Sequence, residues 1–237
     1  MGKNLTQQKR GKGSPTYVSP SHRFKSAAKH IQNREENIRG KIIDLIHCPG
    51  HSGPLMEVTY FNGEKNITLA PEGIKVGDIV TVGGNSEIQL GNTTSLKEIP
   101  EGTLIFNIES QAGDGGKFVR ASGTFARVLS KTGNKVIVEL PSKAKREFHE
   151  TCRATIGAVA GGGRTEKPFT KAGKKYHAMN ARNKYYPIVS ACAMNAVDHP
   201  FGCKRSSRKG RPTIAPHNAP PGRMVGMIRP RHTGRNK

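Results

Sequence analysis

Tryptophan is absent from this 237-residue chain, aromatic side chains make up 5% of it and apolar ones 34%. So few large apolar groups exclude a single well-filled globule of that length. No run of about 18 apolar residues occurs, which argues against a membrane-spanning helix and leaves no membrane among the expected partners. No apolar stretch follows the basic start of the chain, so a cytoplasmic protein is expected. Cys48, Cys152, Cys192 and Cys203 are too few and too scattered for a disulfide framework. Acidic residues are also scarce, with 17 Asp and Glu against 39 Lys and Arg and a net charge of +22. A free chain so charged repels itself, and a polyanion is the natural partner.

The imbalance is local. Residues 1–36 hold 8 Lys or Arg and 2 acids, residues 37–160 hold 14 and 13, and residues 161–237 hold 17 and 2. The flanks lack apolar periodicity and read as basic N- and C-terminal arms, while the near-neutral middle is patterned like a core. In that middle Ile42, Ile43, Leu45 and Ile46 open a strand-like run. Leu55 to Phe61 follow, and then Asn62-Gly63, the pair that a type I′ hairpin prefers. Ile67 to Leu69 and Ile79 to Val82 complete a first set of short strands over 37–84, the spacing of a small barrel. Leu104 to Ile108, Thr124 to Leu129, Val136 to Leu140 and Lys145 to His149 make a second set over 85–160, with the turn Thr132-Gly133-Asn134 and the loop Gly113-Asp114-Gly115-Gly116. Each set is too small to be strongly stable alone, so the two should pack together. Beyond Gly161-Gly162-Gly163, Pro and Gly recur every few residues, which speaks against long helices and central strands. Such a segment must stay mobile or fold on a partner.

In Lys204-Arg205-Ser206-Ser207-Arg208-Lys209-Gly210-Arg211 the cations are spaced by small residues, so an extended backbone can approach phosphates closely and Arg can pair with them bidentately. Phe169, Tyr176, Tyr185, Tyr186 and Phe201 lie among such cations, and their rings suit either stacking on unpaired bases or packing on one another. No stretch reads as a recognition helix, which favours irregular RNA over duplex DNA. His47-Cys48-Pro49-Gly50-His51 and the trio Cys192, His199 and Cys203 lack paired C-x-x-C spacing, and neither a metal nor a cofactor is expected. Asp198-His199 with Ser190 or Ser206 lacks a nucleophile elbow, and Gly113-Asp114-Gly115-Gly116-Lys117 lacks phosphate-loop spacing, so no enzymatic activity is expected.

Ala193-Met194-Asn195-Ala196-Val197-Asp198-His199-Pro200-Phe201-Gly202 strongly resembles a loop of the universal large-subunit ribosomal protein L2 family. Ile74 to Asp78, Ile99 to Thr103, Gly113 to Thr124 and Cys152 to Gly157 look like family segments in family order. The short N-terminal arm, Phe201 after His-Pro and the ending Ala219 to Arg235 resemble the archaeal and eukaryotic branch, most of all the archaeal. The resemblance implies a mostly β fold, an OB-type barrel followed by an SH3-like barrel, with extended basic arms. It implies a structural constituent of the ribosome that binds large-subunit rRNA, meets neighbouring ribosomal proteins, and touches the small subunit at an intersubunit bridge. The arm carrying His199 should run toward the peptidyl-transferase region. A free RNA-binding or chaperone module is the alternative.

The residues expected on RNA are Lys9, Arg10, Lys12 and Arg23 in the first arm, and Lys117, Arg120 and Arg153 in the middle. In the second arm they are Arg164, Lys174, Lys175, Tyr176, Arg182, Asn195 and His199, then Lys204, Arg205, Arg208, Lys209, Arg211, Arg223, Arg229, Arg231 and Arg235. Two departures from the family pattern stand out. Ala196 occupies a position usually held by Pro, and Cys203-Lys204 interrupts a run usually of Gly, where a positive φ is harder for a side chain to adopt.

Overall fold

A computed structural model describes residues 3–32, 37–84, 86–203 and 218–226. These fall into two compact units, one drawn from 21–170 and the other from 1–20 together with 171–237.

The first unit is built on apolar alternation. Strand β1 (Ile38–Ile46) buries Ile38, Gly40 and Ile42 in turn with Ile43 and Leu45 outward, and past a bulge between Ile42 and Asp44 the alternation ends with Asp44 exposed. Gly40 is inward-facing where a side chain would collide with Val58 and Tyr60, so this strand can lie close against its neighbour. β2 (Leu55–Tyr60), β3 (Lys65–Leu69) and β4 (Ile79–Val82) complete the first group. The hairpin at Asn62-Gly63 is not the expected type I′. Only Gly63 has positive φ, its amide bonds to the Tyr60 carbonyl, and Asn62 Oδ1 takes the Glu64 amide. This is a turn closed by one left-handed glycine.

The second group comprises β5 (Thr93–Ser95), β6 (Leu104–Phe106), β7 (Ala126–Thr132), β8 (Lys135–Glu139), β9 (Lys145–His149) and β10 (Arg153–Ile156). Gly133-Asn134 is a two-residue loop with Thr132 paired to Lys135. All ten strands join in the order β3-β2-β1-β4-β5-β10-β6-β7-β8-β9. The groups meet through the parallel pair Val82 and Thr93 and through the bridge of Pro71 with Val159. The architecture is the mostly β one anticipated, an OB-type barrel followed by an SH3-like barrel.

Each group has its own apolar cluster, around Ile42, Val58 and Val80 in the first and Ile105, Val128 and Phe148 in the second. A third cluster joins Leu55 and Leu69 of the first group to Phe106 and Val159 of the second, with Ala28 and Cys48. Residues 21–32, assigned to an arm on composition, thus contribute to the core: Ala28 and Ile31 are buried, and so is His30 between them.

Beneath that segment lies a buried ion pair. Glu109 is fully buried and Arg153 is 6% exposed. The Arg153 Nη2 and Nε donate to Glu109 Oε1 at 2.9 and 3.2 Å, and the Arg153 amide donates to Oε2 at 2.9 Å. The Gly113 and Gly115 amides donate to the same carboxylate at 3.0 and 3.3 Å. Nη1 donates to the Ile31 carbonyl at 2.8 Å, which fastens the 28–31 segment from below. Burial acts to raise the Glu109 carboxyl pKa, but the bonds from Arg153 and Gly113 prevail and hold it below its ordinary value. His30 Nε2 bonds to the Asn107 carbonyl at 2.7 Å. Burial pushes its pKa down to about 4 against the pull of that bond, and the charge of Arg153 adds to the lowering.

Two outcomes follow from this centre. Arg153→Met leaves a carboxylate buried without its guanidinium, and urea unfolding of the full chain should register a loss of about 3–5 kcal/mol. His30 in the unfolded chain takes up a proton near pH 6.5, whereas folded it stays neutral down to about 4. Stability should therefore fall as pH drops through that window, by up to about 3 kcal/mol, and His30→Gln should lack this component when unfolding is compared at several pH values.

Candidate nucleic-acid interface

In the β unit the Gly-rich loop is shaped by carboxylates. Asp114 Oδ2 accepts the Ser110 and Gln111 amides, Oδ1 accepts that of Gly116, and Lys117 stands 3.4 Å from Oδ2. Lys117 projects outward, 64% exposed. Arg120 is half-buried and donates to the carbonyls of Gly116 and Ala28 at 3.1 and 2.7 Å, so it ties the loop to the 21–32 segment. Arg153 departs from the sequence expectation. It is a structural cation with its guanidinium committed to Glu109 and Ile31, because Glu109, the only buried carboxylate among the described residues of this unit, needs it. Arg23 is exposed, and Arg164 donates to Ser122 Oγ at 3.0 Å.

Two cations went unremarked in the sequence. Lys29 is exposed, with its stem lying along Gly115, and the alternation of Ala28 and His30 inward with Lys29 outward was its signal. Arg146 lies over the Phe118 ring at 4.4 Å, and Phe118 meets Phe148 edge-on, so the guanidinium rests on a rigid apolar platform.

The other unit is different in kind. Lys9 and Arg10 lie in the last turn of α1 (Thr6–Gly11), with Lys12 just beyond. Helix α2 (Ala172–Ala181) carries Lys174, Lys175 and Tyr176, and Arg182 ends it. The sequence spoke against long helices here, and a short one forms because no Pro occurs between Pro168 and Pro187 and ten residues have room to wind. No residue of α1 or α2 is buried. Asp198 is the one acidic residue in the sequence of this unit, and Lys3 holds it at 2.8 Å. Lys9, Arg10, Lys12, Lys174, Arg182 and Arg223 are exposed cations in that setting, and Lys175 is half-buried.

The 194–203 loop is held by its own backbone. The amides of Asp198 and His199 bond to the Asn195 carbonyl, that of Gly202 to His199, and that of Cys203 to Met194. The Phe201 amide donates to His199 Nδ1 at 3.0 Å, which leaves Nε2 to carry the proton as a donor. Asp198 faces Lys3, and the His199 Nδ1 faces a backbone amide rather than that carboxylate. A side chain at Gly202 would run into the backbone of Asn195 and Met194. Cys203, where the family pattern has Gly, adopts φ of +108°. Asn195 is exposed at the loop surface. Lys204, Arg205, Arg208, Lys209, Arg211, Arg229, Arg231 and Arg235 lie outside the described residues. Cys48 is fully buried in the shared cluster, and among the described residues no three His, Cys, Asp or Glu side chains gather as metal ligands. Among them too, no helix is long and apolar enough to cross a membrane.

Comparison with known proteins covers nearly the whole chain. The model of the RNA binding N-terminal domain of ribosomal proteins L2 matches residues 3–82, and that of their C-terminal domain matches residues 89–221. The large ribosomal subunit protein uL2 of Archaeoglobus fulgidus is 52% identical over 99% of both chains. Those of Methanococcoides burtonii and Methanocaldococcus jannaschii are each 50% identical, over 99% and 100% of this chain and 100% of their own length.

The strained cysteine gives a test of the loop. Cys203→Gly should relieve about 1 kcal/mol of backbone strain, and hydrogen exchange at the residue 203 amide should slow correspondingly.

Proposed function

Because the chain belongs to the ribosomal protein L2 family over both of its domains, we propose that it is a structural constituent of the large ribosomal subunit, bound to large-subunit rRNA. The observation that carries this is the pairing of family membership with a unit whose sequence holds one acid among its many cations, and that acid already taken by Lys3. Such a surface gains affinity by releasing counterions from phosphates, irrespective of base sequence. Lys9, Arg10, Lys12, Arg23, Lys174, Arg182 and Arg223 are exposed for this, and Lys117 and Lys29 add a second patch at the Gly-rich loop. Arg120 and Arg164 serve at the margins of that patch, each with a protein partner already in place. Asn195 and His199 Nε2 offer donors suited to RNA sugars and base edges as well as to phosphate.

Neighbouring ribosomal proteins, contact with the small subunit at a bridge, and a supporting position near the peptidyl-transferase region belong to the same proposal, as does a cytoplasmic location. The role is architectural. His199 holds the loop turn through Phe201 and positions RNA without taking part in bond making.

Sedimentation of a lysate after a high-salt wash tests the role directly. Retention at one copy per large subunit is expected, whereas release into light fractions would favour a freely exchanging RNA-binding module. For the isolated full chain, log affinity for rRNA should fall with log salt by about 0.7 per phosphate neutralised, and changing Lys174 and Lys175 to Gln should flatten that slope by roughly 1.4.

A further inference from the structure

Tyr176 and Asn180 are four residues apart and share a face of α2. Asn183, with φ of +54°, turns the chain back, and the amides of Asn183 and Lys184 bond to the carbonyls of Asn180 and Met179. The returning Lys184, Tyr185 and Tyr186 thus face the same side of the helix, and Pro15-Thr16 closes the space between them. The resulting cavity measures about 390 Å³.

Its walls are held in place. Tyr185 stacks on Tyr17 with ring centres 6.3 Å apart and planes 23° apart, and Lys175 Nζ lies 5.2 Å from the centre of the Tyr186 ring. The lining contains no carboxylate, and Lys184 is its single charge. Everything else polar is phenol, hydroxyl or amide. That set is poor at holding a phosphate, which is best met by Lys, Arg or clustered backbone amides. It suits a flat heterocycle: tyrosine rings offer stacking faces, and each Asn amide supplies both donor and acceptor for a base edge. The volume falls in the range of about 300–1,000 Å³ usual for ligand sites and accommodates more than one ring. Lys174 and Lys175 lie on the same helix and Arg182 at its end, so a polyanionic backbone would be drawn to this part of the unit.

We propose that this cavity is a nucleobase pocket, receiving one unpaired base of the bound RNA between the tyrosines, with Asn180 and Asn183 reading its edge. The proposal rests on the RNA-binding role argued above and adds a base-specific site to cations that are themselves blind to sequence.

The test uses the full-length chain on a transcript of large-subunit rRNA, probed with base-modifying reagents. The unchanged protein should protect one unpaired base. Tyr176→Leu and Asn180→Ala should each expose that base again and weaken binding by roughly tenfold, with the salt slope unaltered, while Tyr176→Phe should retain the protection. Alanine favours helix, so loss of protection in Asn180→Ala does not come from melting α2. An unchanged footprint and affinity in the Tyr176→Leu/Asn180→Ala double variant would overturn the pocket and leave RNA binding standing. Failure of the unchanged chain to bind the transcript would overturn the RNA-binding role itself, and the pocket with it.

Discussion

A carboxylate taken out of water must be answered completely or it unfolds what surrounds it, and Glu109 is answered by five donors. Two of these are amides of the Gly-rich loop, and the rest belong to Arg153. The loop therefore has its shape because Glu109 is charged, and Glu109 stays charged because Arg153 is beside it. The same guanidinium reaches the Ile31 carbonyl, so the segment bearing Lys29 is laid down on the pair. His30, kept neutral by burial, fits into this layer without adding a second buried cation next to Arg153. The outward cations at Lys117 and Lys29 are thus displayed by an inward one.

The two units solve the problem of stability by different means. In the β unit, three apolar clusters offset the entropy of ordering the chain. Among the described residues of the other unit no hydrophobic side chain is buried, and its helices are held by their own hydrogen bonds and by contacts such as Tyr17 on Tyr185. A ten-residue helix with no buried face is marginal in water. A phosphate-rich surface supplies what a core does not, by neutralising the cations that otherwise repel one another along α2 and the turn after it.

Much of the β architecture was legible because burial leaves a period of two in the apolar residues. β4 and β9 were anticipated to the residue, and β2, β3, β7 and β8 nearly so. β5 and β10 were not, since Thr93, Thr94, Arg153 and Thr155 are polar residues buried by hydrogen bonding, as when Thr93 and Thr155 pair their hydroxyls at 3.0 Å. The same blindness placed Arg153 on the surface, for a sequence displays charge but not its partner. Residues 21–32 looked like arm because Ala28, His30 and Ile31 are too short a pattern to register. The tyrosines were visible as candidates for stacking, but their convergence was not, because it depends on the left-handed turn at Asn183.

The shared cluster also dictates an order of events. Ala28 and Ile31 settle against Val159 and Arg153, partners more than a hundred positions further along the chain. During synthesis, then, the segment that carries Lys25 and Lys29 cannot find its place until the last strand has emerged, and the early strands must wait with one apolar flank uncovered. That basic early stretch is thereby free while the strands are being made, and a nascent chain can meet polyanions through it before its centre has closed.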